Sequence, residues 1–336
     1  MRYKVINNST QIVQKTRADY LYEKFCIDKK LDLKTFVHMV KSDYYEYDSE
    51  VYNPDHAGKL TNLFSDLLSS KSYNTPPAIV DIGAGSGQSY ELVKSTNFEF
   101  ASYYFIEPFQ AMVNKFEFKN DDKIVLVCDY FENKSCTELL LSDKRPKIFL
   151  MCASLRTLDN LPKFIDILKA NMSINDRLIL PLEPNNDYFG KYYKILVPFI
   201  YGLRIIKKFE VVGMFNRRFI SNNPSKKSTL EMSLESLKQD EVVNSDFTTG
   251  MLYAIVYYNN FFTWRKIKVP EKYNDGFFTI EQVASQLGGK VTKLKTHTYL
   301  YGFSFGNKKM DDFLEKVLNK IFPKSGAVLS AVITKL

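Results

Sequence analysis

One stretch decides the fold of this chain: Ile79-Val80-Asp81-Ile82-Gly83-Ala84-Gly85-Ser86-Gly87. Its first residues form an apolar run, which is typical of a short buried strand. Three glycines at alternate positions follow, and residues 89–94 then show helical spacing. Residues without a Cβ let the backbone turn sharply and approach a ligand closely. The stretch therefore predicts a strand, a ligand-binding glycine loop and a helix.

The spacing of the glycines separates three classes of ligand-binding loop. A dinucleotide fingerprint, GxGxxG, needs a small residue at position 88, where this chain has Gln88. A phosphate-cradling P-loop ends in Gly-Lys-Ser/Thr, and this loop does not. The pattern is instead an acid, Asp81, followed by GxGxG. Neither of the first two classes is therefore favoured.

Short apolar strands alternate with helical segments beyond the loop. The predicted strands are residues 78–82, 103–106, 124–127, 148–153 and 177–182. Near-continuous apolar strands separated by helices indicate a parallel sheet that is covered on both faces. Residues 9–72 have mostly helical spacing, and a double proline separates them from the sheet. We expect an α/β fold: a doubly wound, mostly parallel sheet with an N-terminal helical lid and an insertion after the fifth strand.

Over roughly residues 75–185 the chain resembles the class I S-adenosylmethionine-dependent methyltransferases. In that family an acid at the end of the second strand binds both ribose hydroxyls, and Glu107 matches it, since a carboxylate accepts two hydrogen bonds from a vicinal diol. An acid at the end of the third strand takes the adenine amino group, and Asp129 matches it. The segment around Ser154 resembles the one that runs under the methionine part of the cofactor.

The resemblance implies a site for S-adenosyl-L-methionine within a Rossmann-like core. In such a site Asp81 orients the glycine loop or reaches the ammonium group of the cofactor. The expected cofactor-binding residues are Asp81, Gly83, Ala84, Gly85, Gly87, Glu107, Pro108, Cys128, Asp129, Tyr130 and Ser154. No metal is expected, because no two cysteines have metal-ligand spacing and no histidine lies near a cysteine.

Changes in periodicity divide the chain into four predicted segments. They are an N-terminal helical cap or lid (1–74), the cofactor-binding core (75–185), a substrate-side insertion (186–245), and strands and helices that complete the core (246–336). Within the last segment, we predict strands over 248–258 and 296–305, and helices over 280–287 and 311–322.

The residues that would bind the substrate or take its proton are harder to identify. Arg156 stands where many small-molecule enzymes of the resembled family have a histidine, and arginine cannot act as a base at neutral pH. It could pair with a substrate carboxylate or simply face solvent. His56 is the best remaining candidate for a general base, the alternative being a surface histidine at a helix start. Tyr47 and Tyr52 could bind substrate or pack between lid and sheet.

These residues favour a methyltransferase that acts on an oxygen or nitrogen of a small molecule, in a pocket with aromatic walls from residues 40–58 and 185–250. One alternative is an RNA or protein methyltransferase that uses the basic segment 204–227, although no nucleic-acid-binding motif is present. Another is a cofactor-binding protein without transfer activity. In each case the segment 186–245 could instead be an interaction surface.

Composition agrees with an ordinary globular protein. The chain has 336 residues, of which 45% are hydrophobic and 25% charged, and this excludes a disordered or low-complexity chain. Its net charge of +8 permits an anionic partner without requiring one. The apolar run 195–203 is too short to span a membrane, and the N-terminus has no apolar signal core. Four cysteines without a pairing pattern suit a reducing compartment, so we expect a cytoplasmic protein.

Overall fold

The structure is a computed structural model. It describes residues 17–27, 32–40, 54–118, 120–155, 158, 161–184, 229–256, 279–297, 308–324, 326 and 328–336. These residues divide into two compact units. The first comprises those within Met1–Glu183, Ser228–Lys293 and Ala331–Leu336, and the second those within Pro184–Lys227 and Leu294–Ser330.

Seven strands form one sheet in the order β3-β2-β1-β4-β5-β7-β6. The strands are β1 (Ala78–Ile82), β2 (Ser102–Ile106), β3 (Ile124–Val127), β4 (Lys147–Leu150), β5 (Arg177–Pro184), β6 (Gly289–His297) and β7 (Val328–Lys335). All four neighbouring pairs among β1 to β5 are parallel. The strand order reverses between β1 and β4, and ligands of open parallel sheets bind at the carboxyl ends of the strands beside such a reversal.

Eleven helices are described. They are α1 (Arg17–Phe25), α2 (Leu33–Met39), α3 (Pro54–Leu68), α4 (Gln88–Ser95), α5 (Gln110–Lys115), α6 (Lys134–Ser142), α7 (Leu161–Asn171), α8 (Thr229–Gln239), α9 (Thr249–Val256), α10 (Ile280–Leu287) and α11 (Lys308–Ile321). None of these helices is long and apolar enough to cross a membrane.

Helices cover both faces of the parallel strands. One face carries Ile79 and Phe105 in a core that also contains Phe64 of α3 and Tyr90 of α4. The opposite face carries Phe149, whose ring packs against Phe131, and Phe131 in turn packs against Phe164 of α7. Because successive side chains of a strand point to opposite faces, the sheet is buried between two helical layers. The predicted α/β fold with a doubly wound, mostly parallel sheet is confirmed, while the segment 185–228 after β5 lies outside the described residues.

A second apolar core joins α1 and α2 to α8 and α9. It contains Leu21 and Phe36 from the N-terminal helices, and Leu237 and Leu252 from the later ones. The predicted strand over 248–258 is therefore wrong, since residues 249–256 form α9. A short apolar run does not distinguish a buried strand from a buried helix, and contact with α1 and α8 decides for the helix. The four-segment division of the chain stays a prediction.

The C-terminal elements differ in part from expectation. The predicted helix 280–287 is confirmed, and Thr279 caps it by accepting from the N–H of Gln282. The helix expected over 311–322 begins earlier, at Lys308. Of the predicted strand 296–305, residues 296 and 297 form the end of β6 and residues 298–305 lie outside the described residues. The strand β7 was not predicted.

A buried arginine ties α3 to the sheet at the start of β5. The Nε of Arg177 donates to the hydroxyl of Tyr73 at 2.6 Å, and its Nη2 donates to the carbonyl of Leu68 at 3.1 Å. Its Nη1 donates to Ser70 Oγ at 2.5 Å. Carbonyl groups at a helix C-terminus lack intrahelical partners, so this guanidinium stabilises the end of α3. The contact fixes the helix that precedes the glycine-loop strand.

Candidate functional site

The glycine loop lies at the carboxyl end of β1, and its glycines have left-handed backbone conformations. The φ angles of Gly83, Gly85 and Gly87 are +71°, +60° and +96°. A Cβ built on Gly87 would lie 2.2 Å from a ring carbon of Phe116, so this position is closed to any side chain. A Cβ on Gly85 would meet nothing within 4 Å in the described part of the chain. Within the described part of the chain, Gly85 therefore faces space that a ligand could occupy.

Register brings the strand ends together under this loop. Ile82 pairs with Ile106, and Ile106 pairs with Val127, so the loop, Glu107 and Cys128 start at one edge of the sheet. Gly83 N–H donates to the carbonyl of Ile106 at 2.9 Å, and Ser154 Oγ donates to the carbonyl of Ile82 at 3.0 Å. The predicted residues Gly83, Glu107 and Ser154 are thus neighbours in space.

Glu107 is tied directly to the glycine loop. Its side chain is buried, with 4% of the residue exposed. Its Oε2 accepts from the N–H of Gly85 at 2.9 Å, and its Oε1 accepts from the N–H of Phe109 at 3.2 Å. Each carboxylate oxygen has two acceptor lone pairs, so a bond from the backbone does not by itself exclude a hydroxyl donor. The geometry suits a carboxylate that both holds the loop and faces a ligand.

Asp81 is a second buried acid of the site, with 1% of the residue exposed. The hydroxyl of Tyr103 donates to its Oδ2 at 2.7 Å, while Oδ1 has no hydrogen-bond partner among the described residues. Burial raises the pKa of Asp81 to about 7; the Tyr103 hydrogen bond opposes this shift and the charge of Glu107 adds to it. A carboxyl group with such a pKa in a crevice is a candidate ligand-binding group.

Asp129 and its neighbours form the third part of the site. The Oδ1 of Asp129 accepts from the N–H of Tyr130 at 2.8 Å, and its Oδ2 accepts from Ser135 Oγ at 3.0 Å. The bond from the Tyr130 N–H lowers the pKa of Asp129 most. Cys128 is exposed, and the ring of Tyr130 packs edge-on against Phe109 at 6.2 Å. These contacts place Asp129 in a turn before α6, and its adenine contact stays a prediction.

The residues predicted for the reacting end are not placed by the structure. Tyr47, Tyr52 and Arg156 lie outside the described residues, and so does the basic segment 204–227. His56 belongs to the first turn of α3, and its side chain is outside the described part as well. Among the described residues, no group of three His, Cys, Asp or Glu side chains could hold a metal ion.

Two site residues were missed at the sequence level. Glu183 at the end of β5 is fully buried, and its Oε1 accepts from the N–H of Leu155 at 3.2 Å. The signal for Glu183 was an acid directly after an apolar strand, the same signal that identified Glu107. Tyr103 lies inside β2 next to a second tyrosine, Tyr104, and nothing in the sequence distinguishes it from a tyrosine that packs in the core.

Left-handed backbone conformations occur beside Glu183 at residues other than glycine. The φ angle of Ala153 is +52° and that of Leu182 is +61°. Each costs roughly 1–2 kcal/mol for an L-residue. Such conformations cluster at functional sites, and both lie where β4 and β5 reach the crevice.

Comparison with known proteins gives matches among solved structures. No protein-family model and no curated protein matches the chain. The plantazolicin methyltransferase BamL is 12% identical, with 90% of this chain and 99% of that chain covered and a TM-score of 0.41. A putative S-adenosylmethionine-dependent methyltransferase from Listeria monocytogenes is 10% identical, with 83% and 98% covered and a TM-score of 0.41.

The mitomycin 7-O-methyltransferase MmcR is 12% identical, with 90% of this chain and 60% of that chain covered and a TM-score of 0.40. Independently of these matches, the strand order, the parallel pairing of β1 to β5 and the glycine loop after β1 define the fold. The chain has a Rossmann-like α/β fold, with a doubly wound, mostly parallel sheet.

Proposed function

We propose that this chain is an S-adenosyl-L-methionine-dependent methyltransferase. The observation that carries the proposal is the contact between the Glu107 carboxylate and the N–H of Gly85, a loop position beside which no described atom would meet a Cβ. A second buried carboxylate, Asp81, stands two residues before the loop. The Glu107 carboxylate offers acceptors for a vicinal diol, and the Asp81 carboxylate offers an acceptor for an ammonium group. Both lie beside the glycine loop.

Each group at this edge has a distinct part in holding the cofactor. Glu107 would accept from the ribose hydroxyls, and Asp81 would accept from the ammonium group through Oδ1. The absence of a Cβ at Gly85 allows close approach of the amino-acid chain, and residues 128–130 would flank the adenine. The cofactor supplies an electrophilic methyl group on a sulfonium. The chain's own residues then hold the acceptor in line with that methyl group.

The acceptor that we propose is an oxygen or nitrogen of a small molecule. The support is the aromatic content of residues 40–58 and 185–250, among them Tyr47 and Tyr52, because apolar ligand pockets are lined largely by such side chains. Arg156 would pair with a carboxylate of the acceptor, and His56 would take its proton.

Calorimetric titration with S-adenosylhomocysteine tests the cofactor site. Glu107→Ala should weaken binding by about 1.5–3 kcal/mol, which is roughly 10- to 150-fold, because a hydrogen-bonded charged acceptor is lost. Glu99→Ala is the matched control, since Glu99 is an exposed acid before β2. Equal affinity of the Glu107 variant and the wild type would show that Glu107 is a structural acid only.

The acceptor class is tested by methyl transfer from labelled cofactor to a panel of phenols, amines and carboxylates. Transfer to at least one member of the panel is expected. Failure with every small molecule together with methylation of RNA or protein would replace the small-molecule proposal. Cofactor binding without any transfer would favour the third interpretation, a binding protein.

A further inference from the structure

Tyr103 lies in β2, and its side chain contacts Asp81 near the carboxyl end of the neighbouring strand β1. In the register of β1 and β2, Ile79 pairs with Tyr103 and Asp81 pairs with Phe105. The side chains of Asp81 and Tyr103 are therefore on the same face, with the phenol two positions farther from the glycine loop. Its hydroxyl reaches along the strand and donates to Asp81 Oδ2 at 2.7 Å.

The ring of Tyr103 is held firmly by its neighbours. The residue has no exposed surface, and its ring packs edge-on against Tyr90 at 4.9 Å and against Phe100 at 5.9 Å. Edge-to-face contacts of this kind fix ring orientation as well as ring position. The hydroxyl is thus preorganised, and it defines which oxygen of Asp81 is bound from within the core.

The other oxygen of Asp81 has no hydrogen-bond partner among the described residues. Leaving a buried charged acceptor unsatisfied is expensive, so such an atom points to a donor that arrives with a ligand. Among the described residues, the other groups that act electrostatically on this pair are Glu107, which follows β2, Cys152, which follows β4, and Tyr90 of α4. None of these three is a cation, so a cationic donor would complete the arrangement.

We infer that Tyr103 is a positioning residue: its hydroxyl fixes the carboxylate of Asp81 with Oδ1 left to receive the ammonium group of the cofactor. The inference rests on the proposed function. Tyr103 itself touches no ligand and acts only through Asp81. Without the hydroxyl, neither oxygen of Asp81 has the partner that defines its orientation, and the carboxyl group would be protonated more readily.

The test compares two ligands that differ at one end. S-adenosylhomocysteine carries the amino-acid ammonium, whereas 5′-methylthioadenosine has the same nucleoside and sulfur without it. Tyr103→Phe should weaken binding of S-adenosylhomocysteine about tenfold or more, because Asp81 loses the hydrogen bond that orients its carboxylate and favours its ionised form. It should leave the affinity for 5′-methylthioadenosine unchanged within about twofold, because the nucleoside contacts do not involve Tyr103.

A matched control separates positioning from packing. Tyr90 touches the ring of Tyr103, but its hydroxyl donates to Asp121 instead of Asp81. Tyr90→Phe therefore removes a phenol from the same aromatic cluster, and it should leave the ratio of the two affinities at the wild-type value. A change of that ratio in Tyr90→Phe equal to the change in Tyr103→Phe would overturn the inference.

A double-mutant cycle tests whether Tyr103 acts through Asp81. In an Asp81→Asn background, the added Tyr103→Phe change should not weaken the binding of S-adenosylhomocysteine further. Neither variant in this comparison has a buried charge at position 81, so the comparison remains usable if Tyr103→Phe alone folds poorly. An equal further loss there would assign Tyr103 a structural role. If the wild type binds neither ligand, the proposed function fails; if it binds both and Tyr103→Phe changes nothing, only this inference fails.

Discussion

Replacing Asp81 by asparagine should stabilise the ligand-free protein at alkaline pH. The pKa of this carboxyl group is near 3.8 as a free side chain, and burial raises it to about 7 in the folded protein. Between these pH values the folded state holds more protons than the unfolded state. The free energy of unfolding therefore falls as pH rises from about 4 to 7, and the whole penalty is present above pH 7.

The size of the effect follows from the shift of about three pKa units. At 1.36 kcal/mol per unit, the ionised carboxylate lowers the free energy of unfolding by about 4 kcal/mol above pH 7. About 2–3 kcal/mol of this penalty develops between pH 5 and pH 8. Asparagine has the same shape and no charge, and its amide oxygen can still accept from Tyr103. The advantage of Asp81→Asn over the wild type should therefore grow by about 2–3 kcal/mol from pH 5 to pH 8.

Urea unfolding at pH 5 and pH 8, followed by circular dichroism, measures this difference. Asp129→Asn is the control, because its hydrogen bonds lower the pKa of Asp129 and move its titration below pH 3.8. The difference in the free energy of unfolding between Asp129→Asn and the wild type should be the same at pH 5 and pH 8. A pH-independent advantage of Asp81→Asn would refute the reasoning, since it would mean that Asp81 stays ionised in the folded protein across this range.

Two further predictions concern the loop and the lid. Gly87→Ala should lower the free energy of unfolding by about 2–4 kcal/mol, because its Cβ would lie 2.2 Å from Phe116 at a φ of +96°. Gly85→Val should lower the free energy of unfolding less and should abolish binding of S-adenosylhomocysteine. Thermal unfolding measures the first effect and calorimetric titration the second. His56→Ala should lower turnover far more than cofactor affinity, and hydrogen exchange of residues 43–56 should slow when S-adenosylhomocysteine is added. Normal turnover of that variant would remove His56 from the reaction.

The sheet and its acids could be predicted because each depends on local pattern. β1, β2 and β4 consist mostly of apolar or aromatic residues. Asp81 lies near the end of β1, and Glu107 directly follows β2. The α9 segment was misassigned because its residues are apolar without a clear period, and only contact with α1 and α8 selects the helix. β7 was missed because Ser330 and Thr334 interrupt its apolar residues.

The link between Tyr103 and Asp81 could not be predicted, because it depends on inter-strand register. A shift of β2 by one residue would turn the phenol to the opposite face. The sequence shows only that a tyrosine stands in an apolar strand, and such a tyrosine commonly packs in a core. Its hydrogen bond becomes visible only when Ile79 is known to pair with Tyr103.

Glu107 and Asp81, two of the buried acids of the crevice, differ in a way that bears on function. Glu107 has backbone donors from Gly85 and Phe109, so its carboxylate is compensated within the chain. Asp81 has one donor, Tyr103, and an oxygen without a partner among the described residues. A chain selected for stability alone would replace Asp81 by a neutral residue, since the carboxylate lowers the free energy of unfolding at physiological pH. A ligand with an ammonium group stabilises the ionised carboxylate of Asp81, because it supplies both a hydrogen-bond donor and a positive charge. Binding of such a ligand should therefore strengthen as pH rises through 7, whereas a ligand that contacts only Glu107 should show no such dependence.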